Sequence, residues 1–318
     1  MKLLHIASDS WKEIFGKTEE YMKIFFSDNN PSVEQLHYWL TPHGDYKVTN
    51  NPFEVKDADF IICWGVTQMG QAQRIHNSNK HVPLINYNWD IYEWAIKTPR
   101  PGEYNYKEYI QFLSESTEVW CPSKSVEMRT HQWIAEAKLP DVDTHVILSH
   151  APHYDDHPAS DQNFVFNTQR ENPDERLGWF EKACEELQIP YKSSKHQMDR
   201  GDYHKAMAEC TFQVSAYYEM STGGLGILEG YYHGKPVLLS NSKWQGGGDY
   251  MGKRAVYFQH DSFEDLKAKI KDMWENRNKY KVDVTDARKW LKKNYSEEAM
   301  GKRIHDRLTY LYERRKNG

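Results

Sequence analysis

Short apolar runs recur along the chain, separated by stretches in which apolar residues return with the period of a helix. Read as strands, the runs fall at Leu3–Ala7, Phe60–Trp64, Pro83–Tyr87, Val119–Cys121 and His145–Leu148 in the first half. In the second half they fall at Phe164–Asn167, Tyr191–Ser194, Phe212–Ser215, Val237–Ser240 and Val256–Phe258. Helical patterns lie between them near 17–26, 67–77, 106–115 and 124–137, then near 174–187, 202–209, 225–233, 262–276 and 296–315. Strand–helix alternation of this kind predicts an α/β protein of parallel sheets. The polar segment SHAPHYDDHPASDQN, with two prolines, reads as a linker between two Rossmann-like halves. The expected boundaries are a first domain over 1–155, a second over 156–295 and a last helix, 296–318, that returns to the first domain. Ligands of open α/β sheets bind beyond the carboxyl ends of the strands. Two such domains facing across a linker would therefore make a cleft that suits group transfer.

The 318 residues amount to about two domains. With 11 Trp, 21 Tyr and 12 Phe, the chain has too much apolar area to bury for a disordered protein. No window approaches the roughly 20 apolar residues of a spanning helix. The opening MKLLHIASDS suits a buried strand better than a secretory leader, so a cytoplasmic location is expected. Cys63, Cys121, Cys184 and Cys210 are widely spaced, lack any CxxC pair and read as reduced core thiols.

Net charge is −5, which excludes a globally basic nucleic-acid binder. The charge is unevenly spread. Residues 1–150 hold 14 Lys and Arg against 20 Asp and Glu, whereas residues 251–318 hold 18 against 11. The basic end reads either as solvated helix faces or as a flank for an anionic surface.

The most informative segment is VSAYYEMSTGGLGILEGYYHGKPVLLS, residues 214–240. A strand ends at Ser215, a loop carries Glu219 and the pair Gly223-Gly224, and a helix starts near Leu225. Glycines ahead of a helix let backbone N–H groups approach an anion such as a diphosphate. They also serve simply to permit a tight turn. Glu229, one turn into the helix, could accept hydrogen bonds from the vicinal hydroxyls of a ribose. The helix closes at His233-Gly234, where glycine takes a left-handed conformation, and Pro236 leads into the next strand.

This run resembles the C-terminal signature of the family 4 retaining glycosyltransferases of the GT-B fold, roughly PSxxEGFGxxxxEAMAxGxPVVAS. Ser215 matches the serine, Gly223-Gly224-Leu225 the glycine turn, Glu229 the second glutamate and GYYHGKPVLLS the helix end and next strand. FVFNTQRENPDERLGWFEKACEEL resembles the family segment whose basic pair grips the donor diphosphate, which makes Arg170 and Arg176 the candidates. DYHKAMAECTFQVSAYYE, EVWCPSKSVEMRTH and HVILSHAPHYDD resemble, in order, other stretches of the family. The resemblance implies two Rossmann-like domains, the first for the acceptor and the second for a nucleotide sugar. It also implies retention at the anomeric carbon and transfer without a metal or other cofactor.

The chain departs from that pattern in three places. Nine residues separate Glu219 from Glu229 where the family has seven; strict spacing would put Ser221 at the first glutamate's position, but Glu219 still follows the strand and is the candidate beside the donor sugar. After the first strand only Gly16, followed by Lys17, stands where a glycine-rich loop borders the donor phosphates. Asn88-Trp89-Asp90 replaces a His-Asp pair, leaving Asp90 as the polar candidate in the acceptor pocket.

Other groups read more plainly. KWQGGGDYMGKR, residues 243–254, reads as a flexible loop or a mobile lip with Asp249 as a polar contact. His150, His153, Asp155 and His157 have metal-compatible spacing, but they sit in the linker and no metal is expected. Trp89, Trp94, Tyr104 and Tyr106 read as core or as a stacking platform. The resulting expectation is a glycosyltransferase acting from a nucleotide sugar on an unidentified acceptor. The alternatives are a viral-type enzyme that glycosylates a modified DNA base, a GT-B module that binds nucleotide or glycan without turnover, and an epimerase of the same fold.

Overall fold

A computed structural model of the chain describes residues 1–7, 33–64, 68–88, 106–149, 158–168, 178–194, 198–215, 226–243 and 246–317, without the side chains of Glu34 and Arg200. The chain divides into two compact units, one of Met1–His150 with Tyr295–Gly318 and one of Ala151–Asn294.

The first unit is built on strands β1 (Lys2–Ala7), β2 (Lys47–Thr49), β3 (Phe60–Trp64), β4 (Leu84–Tyr87), β5 (Glu118–Cys121) and β6 (Thr144–Val146). All are parallel, in the order β2-β1-β3-β4-β5-β6. The sheet has six strands where the apolar pattern predicts five. The extra one, β2, is a three-residue edge strand that is nowhere fully buried, so it leaves no apolar run in the sequence.

The described helices of this unit are α1 (Val33–Leu40), α2 (Met69–Asn77), α3 (Tyr106–Ser114), α4 (Lys124–Glu136) and, from the end of the chain, α11 (Glu297–Asn317). Alternate strand residues Leu3, Phe60, Ile62, Trp64, Ile85, Tyr87 and Trp120 share one buried cluster with Leu36 and Trp39 of α1 and Met300, Ile304 and Leu308 of α11. Trp64 and Tyr87 stack inside it with ring centroids 4.2 Å apart. Strands β3, β4 and β5 are buried at every position, as expected for a parallel sheet covered on both faces.

Polar contacts tie α11 to this unit. Arg307 meets the fully buried Glu118 through Nε at 2.8 Å and Nη2 at 2.5 Å, and Trp120 Nε1 donates to the same carboxylate at 2.6 Å. Burial works against the Arg307 charge, but the hydrogen bonds and charge of Glu118 outweigh it and hold the guanidinium pKa above its ordinary value. Arg315 caps two carbonyls, those of Asp59 and His81, at 2.9 and 3.0 Å. Gly301 packs so closely on α1 that a Cβ there would overlap the backbone carbonyl of Trp39.

The second unit has β7 (Val165–Asn167), β8 (Tyr191–Ser193), β9 (Phe212–Ser215), β10 (Val237–Ser240) and β11 (Val256–Phe258), all parallel, in the order β11-β10-β9-β7-β8. Its described helices are α5 (Trp179–Glu186), α6 (Arg200–Glu209), α7 (Gly226–Tyr232), α8 (Gly247–Met251), α9 (Phe263–Glu275) and α10 (Val284–Tyr295). Helices α5 and α9 pack on Val165, Phe212, Val214, Leu238 and Phe258. Residues Ala206, Met207 and Tyr203 of α6 pack with Phe166, which lies out of register with that set and so on the other face. The segment read as a flexible loop or lip contains a helical turn, α8, that buries Gly247, Tyr250 and Met251. Tyr250 and Met251, which follow the three glycines, anchor it.

All four cysteines are free and buried, and burial pushes the Cys184 and Cys210 thiols up to about 12. Among the described residues, no helix is long and apolar enough to cross a membrane, and no three His, Cys, Asp or Glu side chains are grouped to hold a metal ion.

Candidate functional site

In each sheet the first and third strands of the unit lie side by side and the second lies outside the first. The connections leaving two adjacent strands then diverge to opposite faces, which opens a crevice beyond their carboxyl ends. In the second unit this switch point lies between β7 and β9, paired in register from Val165↔Phe212 to Asn167↔Val214.

The strand ends bordering it are polar and buried. Asn167 is 2% exposed and Ser215 1% exposed, and Ser240 is buried at the end of β10. Thr168 continues the ladder, its N–H donating to the Val214 carbonyl at 3.1 Å. The Ser215 hydroxyl is buried without a hydrogen-bond partner among the described residues, an unusual state for a strand end. Small polar side chains at neighbouring strand ends keep the sheet edge open to a ligand, which bulky apolar ones would close.

Glu229 stands one turn into α7, directly after this switch point in the chain, and is 6% exposed. Burying a carboxylate is costly unless it is paired or hydrogen-bonded, which makes Glu229 a candidate for a polar task. Two close approaches hold α7 in place. Gly230 lies against the side-chain amide of Gln213 on β9, where a Cβ would overlap that amide, and Gln213 Nε2 donates to the Ile227 carbonyl at 2.7 Å. Gly226, the first residue of α7, lies against Tyr203 of α6, and a Cβ there would overlap the tyrosine hydroxyl and lie 3.8 Å from Glu229 Oε2. The ring of Tyr203 meets Phe166 of β7 edge to face at 5.6 Å. Tyr203 thus spans from β7 to the head of α7. At its far end α7 closes on Gly234, whose φ of 73° is left-handed, and a side chain there would press on Val284.

Of the residues singled out from the sequence for donor binding and transfer, Glu229 is the one described. Asp90, Arg170, Arg176, Glu219, Ser221, Gly223, Gly224, Leu225, Gly16 and Lys17 lie outside the described residues, as do Trp89, Trp94, Tyr104 and the linker group His150, His153, Asp155 and His157. The topology bears on two of these segments: the chain enters the segment of Arg170 and Arg176 from β7 and that of Glu219 from β9, the two strands that border the switch point. In the first unit, Asn88 is a buried anchor at the end of β4. Its N–H donates to the Trp120 carbonyl at 2.7 Å, its Nδ2 to Thr130 Oγ1 at 2.9 Å, and its Oδ1 accepts from the Tyr109 hydroxyl. Tyr106, half-buried, packs edge to face on the buried Trp133 at 5.8 Å. Asp249 is exposed on α8.

Gly226, Gly230, Gln213 and Tyr203 have no counterpart among the residues singled out from the sequence. The last glycine of GGLG and the glycine beside Glu229 were the available signals, because a helix that carries two glycines in five residues loses stability unless something packs where the side chains would be.

The sequence matches no protein-family model and no curated protein. Solved structures do match its fold. HepE of Anabaena, crystallised with UDP and glucose, superposes at a TM-score of 0.62 and 14% identity, over 98% of this chain and 100% of that one. The lipopolysaccharide outer core galactosyltransferase WaaB, in its apo form, gives 0.58 at 11% identity over 98% and 99%. Sucrose-phosphate synthase from Thermosynechococcus elongatus gives 0.54 at 12% identity over 82% and 75%. With two parallel-sheet α/β units of six and five strands, the fold is GT-B.

Proposed function

We propose that this GT-B chain is a glycosyltransferase that takes a sugar from a nucleotide-sugar donor held by the second unit and passes it to an acceptor held by the first. The observation that carries the reading is Glu229: a buried carboxylate one turn into the helix that follows the switch point, in a segment that resembles a nucleotide-sugar signature. A carboxylate there accepts hydrogen bonds from both hydroxyls of a ribose, which is how a nucleotide is told from a bare diphosphate. The fold likeness to HepE, crystallised with UDP and glucose, makes UDP the first nucleotide to try.

In the reaction the bond from the sugar's anomeric carbon to the diphosphate oxygen breaks. An acceptor oxygen bonds to that carbon and loses its proton, and the nucleoside diphosphate departs with the electron pair. Charge growing on the diphosphate needs fixed positive partners. Arg170 and Arg176 supply them in this reading, with Gly16 and the turn Gly223, Gly224 and Leu225 close to the phosphates and no metal or other cofactor required. Glu219 positions the donor sugar and Asp90 the acceptor. Retention of anomeric configuration follows from the family resemblance of residues 215–240.

Donor hydrolysis tests this without knowledge of the acceptor. Incubated with a panel of nucleotide sugars, the protein is expected to release sugar slowly from one of them, and Glu229→Ala and Arg170→Ala to lower that rate about tenfold or more, the effect of losing a hydrogen bond to a charged group. Unchanged rates in both variants overturn the assignment. Nucleotide binding with no turnover by the parent protein supports the binding-module reading instead.

One observation favours a nucleic-acid acceptor as a second reading. Arg288, Lys289, Lys292 and Lys293 are exposed along α10, and Arg254 stacks on Trp290 of the same helix at 4.2 Å with Lys253 beside it. DNA binding whose affinity falls steeply with added salt is the expected result, and salt-independent binding removes this reading.

A further inference from the structure

The proposed function assigns no task to Tyr203, yet its hydroxyl and the carboxylate of Glu229 lie against the same glycine. At Gly226 the space of a side chain is taken by Tyr203 Oη, with Glu229 Oε2 3.8 Å from the same point. The tyrosine does not swing there freely, because its ring is fixed edge to face on Phe166, whose side chain is fully buried in β7. Helix α6 is in turn pinned by Ala206 and Met207 in that cluster and by the Asp199 side chain, which accepts from the Asp202 N–H at 2.9 Å. A phenol held by α6 against a buried strand and aimed at the head of a short helix is more than apolar filling, since phenylalanine would fill the cluster equally well without carrying a polar atom to that spot.

We infer that Tyr203 is a positioning residue for Glu229: its hydroxyl, admitted by the missing side chain of Gly226, sets how the carboxylate is presented at the switch point and so sets affinity for the ribose of the donor. The inference rests on the nucleotide-sugar reading, in which Glu229 holds the ribose, and it adds the residue that orders Glu229. It also explains the glycine that opens α7, because any side chain at 226 displaces the hydroxyl.

Calorimetric titration of the full chain with UDP, and with GDP and ADP if UDP is silent, tests both layers separately. Glu229→Ala is expected to weaken the diphosphate that binds and to erase its advantage over the 2′-deoxy analogue. If it does neither, the ribose assignment fails and Tyr203 loses its object. Given that loss, Tyr203→Phe is expected to weaken binding about fivefold, the usual effect of one hydrogen bond, and to shrink the preference over the deoxy analogue. In a Glu229→Ala background Tyr203→Phe is expected to do nothing more, since two residues that act as one unit are not additive. Full affinity in Tyr203→Phe, or equal losses in both backgrounds, overturns the inference.

A second pair of variants checks the geometry without ligand. Gly226→Ala should lower the unfolding temperature in the parent but not in Tyr203→Phe, because the ring carbon Cζ is an ordinary 3.5 Å from the added methyl once the oxygen is gone. Equal losses in the two backgrounds also overturn it.

Discussion

Arg307→Ala is expected to lower the free energy of unfolding by about 3–5 kcal/mol, the effect of leaving a buried charge without its partner. Glu118 is 1% exposed, and its oxygens receive two bonds from Arg307 as well as that of Trp120 Nε1. Removing the guanidinium leaves a carboxylate inside β5 with one neutral donor. The loss comes mainly from the stranded charge rather than from the net worth of the pair, which sets the control. Arg307→Met with Glu118→Gln keeps an acceptor for Trp120 and removes both charges, so it should recover most of the stability. Denaturant unfolding of the single and double variants checks this. A single variant within 1 kcal/mol of the parent would show that α11 does not bury Glu118 as described.

Gly301→Ala is the second large effect, about 3 kcal/mol. Helix-interior glycine to alanine is ordinarily favourable by roughly 0.5–1 kcal/mol, so the sign itself is informative. Here the added methyl would overlap the Trp39 carbonyl oxygen, lie 2.7 Å from its carbon and 3.1 Å from the Trp39 Cβ. Backbone of α1 cannot yield as a side-chain end would, so α11 has to lift and part Met300, Ile304 and Leu308 from the sheet. Gly248→Ala is the matched control, helical with its nearest neighbour, Tyr257 Oη, at 3.9 Å, and should be neutral or slightly stabilising. Thermal unfolding compares the two, and amide exchange in α11 should rise in Gly301→Ala alone.

Strands were legible in the sequence where both faces of a residue run are buried: Phe60–Trp64, Phe212–Ser215 and Val237–Ser240 have in the structure the bounds that the apolar pattern predicts. Val256–Phe258, an edge strand half-buried at two positions, also keeps its predicted bounds because all three of its residues are apolar or aromatic. Strand β2 escaped because an edge needs no apolar run, and α10 because it buries only Ala287, Leu291 and Tyr295 among many charges. At the site, Glu229 stood out as an acid after a glycine turn. Tyr203 and Gln213 did not, because their meaning lies in a contact with a glycine far along the chain, which no local period encodes. The switch point itself follows from strand order, and strand order is fixed by pairing between runs that look alike in sequence.

The discontinuity of the first unit has a consequence for synthesis. Residues 151–294 form a continuous insertion between the two parts of the first unit, so on the ribosome the whole second unit emerges before α11 does. The insertion can fold as soon as it is made. The first sheet must meanwhile wait with Leu3, Phe60, Trp64, Tyr87 and Trp120 uncovered by Met300, Ile304 and Leu308, and with Glu118 lacking its arginine. The first unit is therefore completed last although its strands are made first, and the nascent chain passes through its most aggregation-prone state while the second unit is already complete.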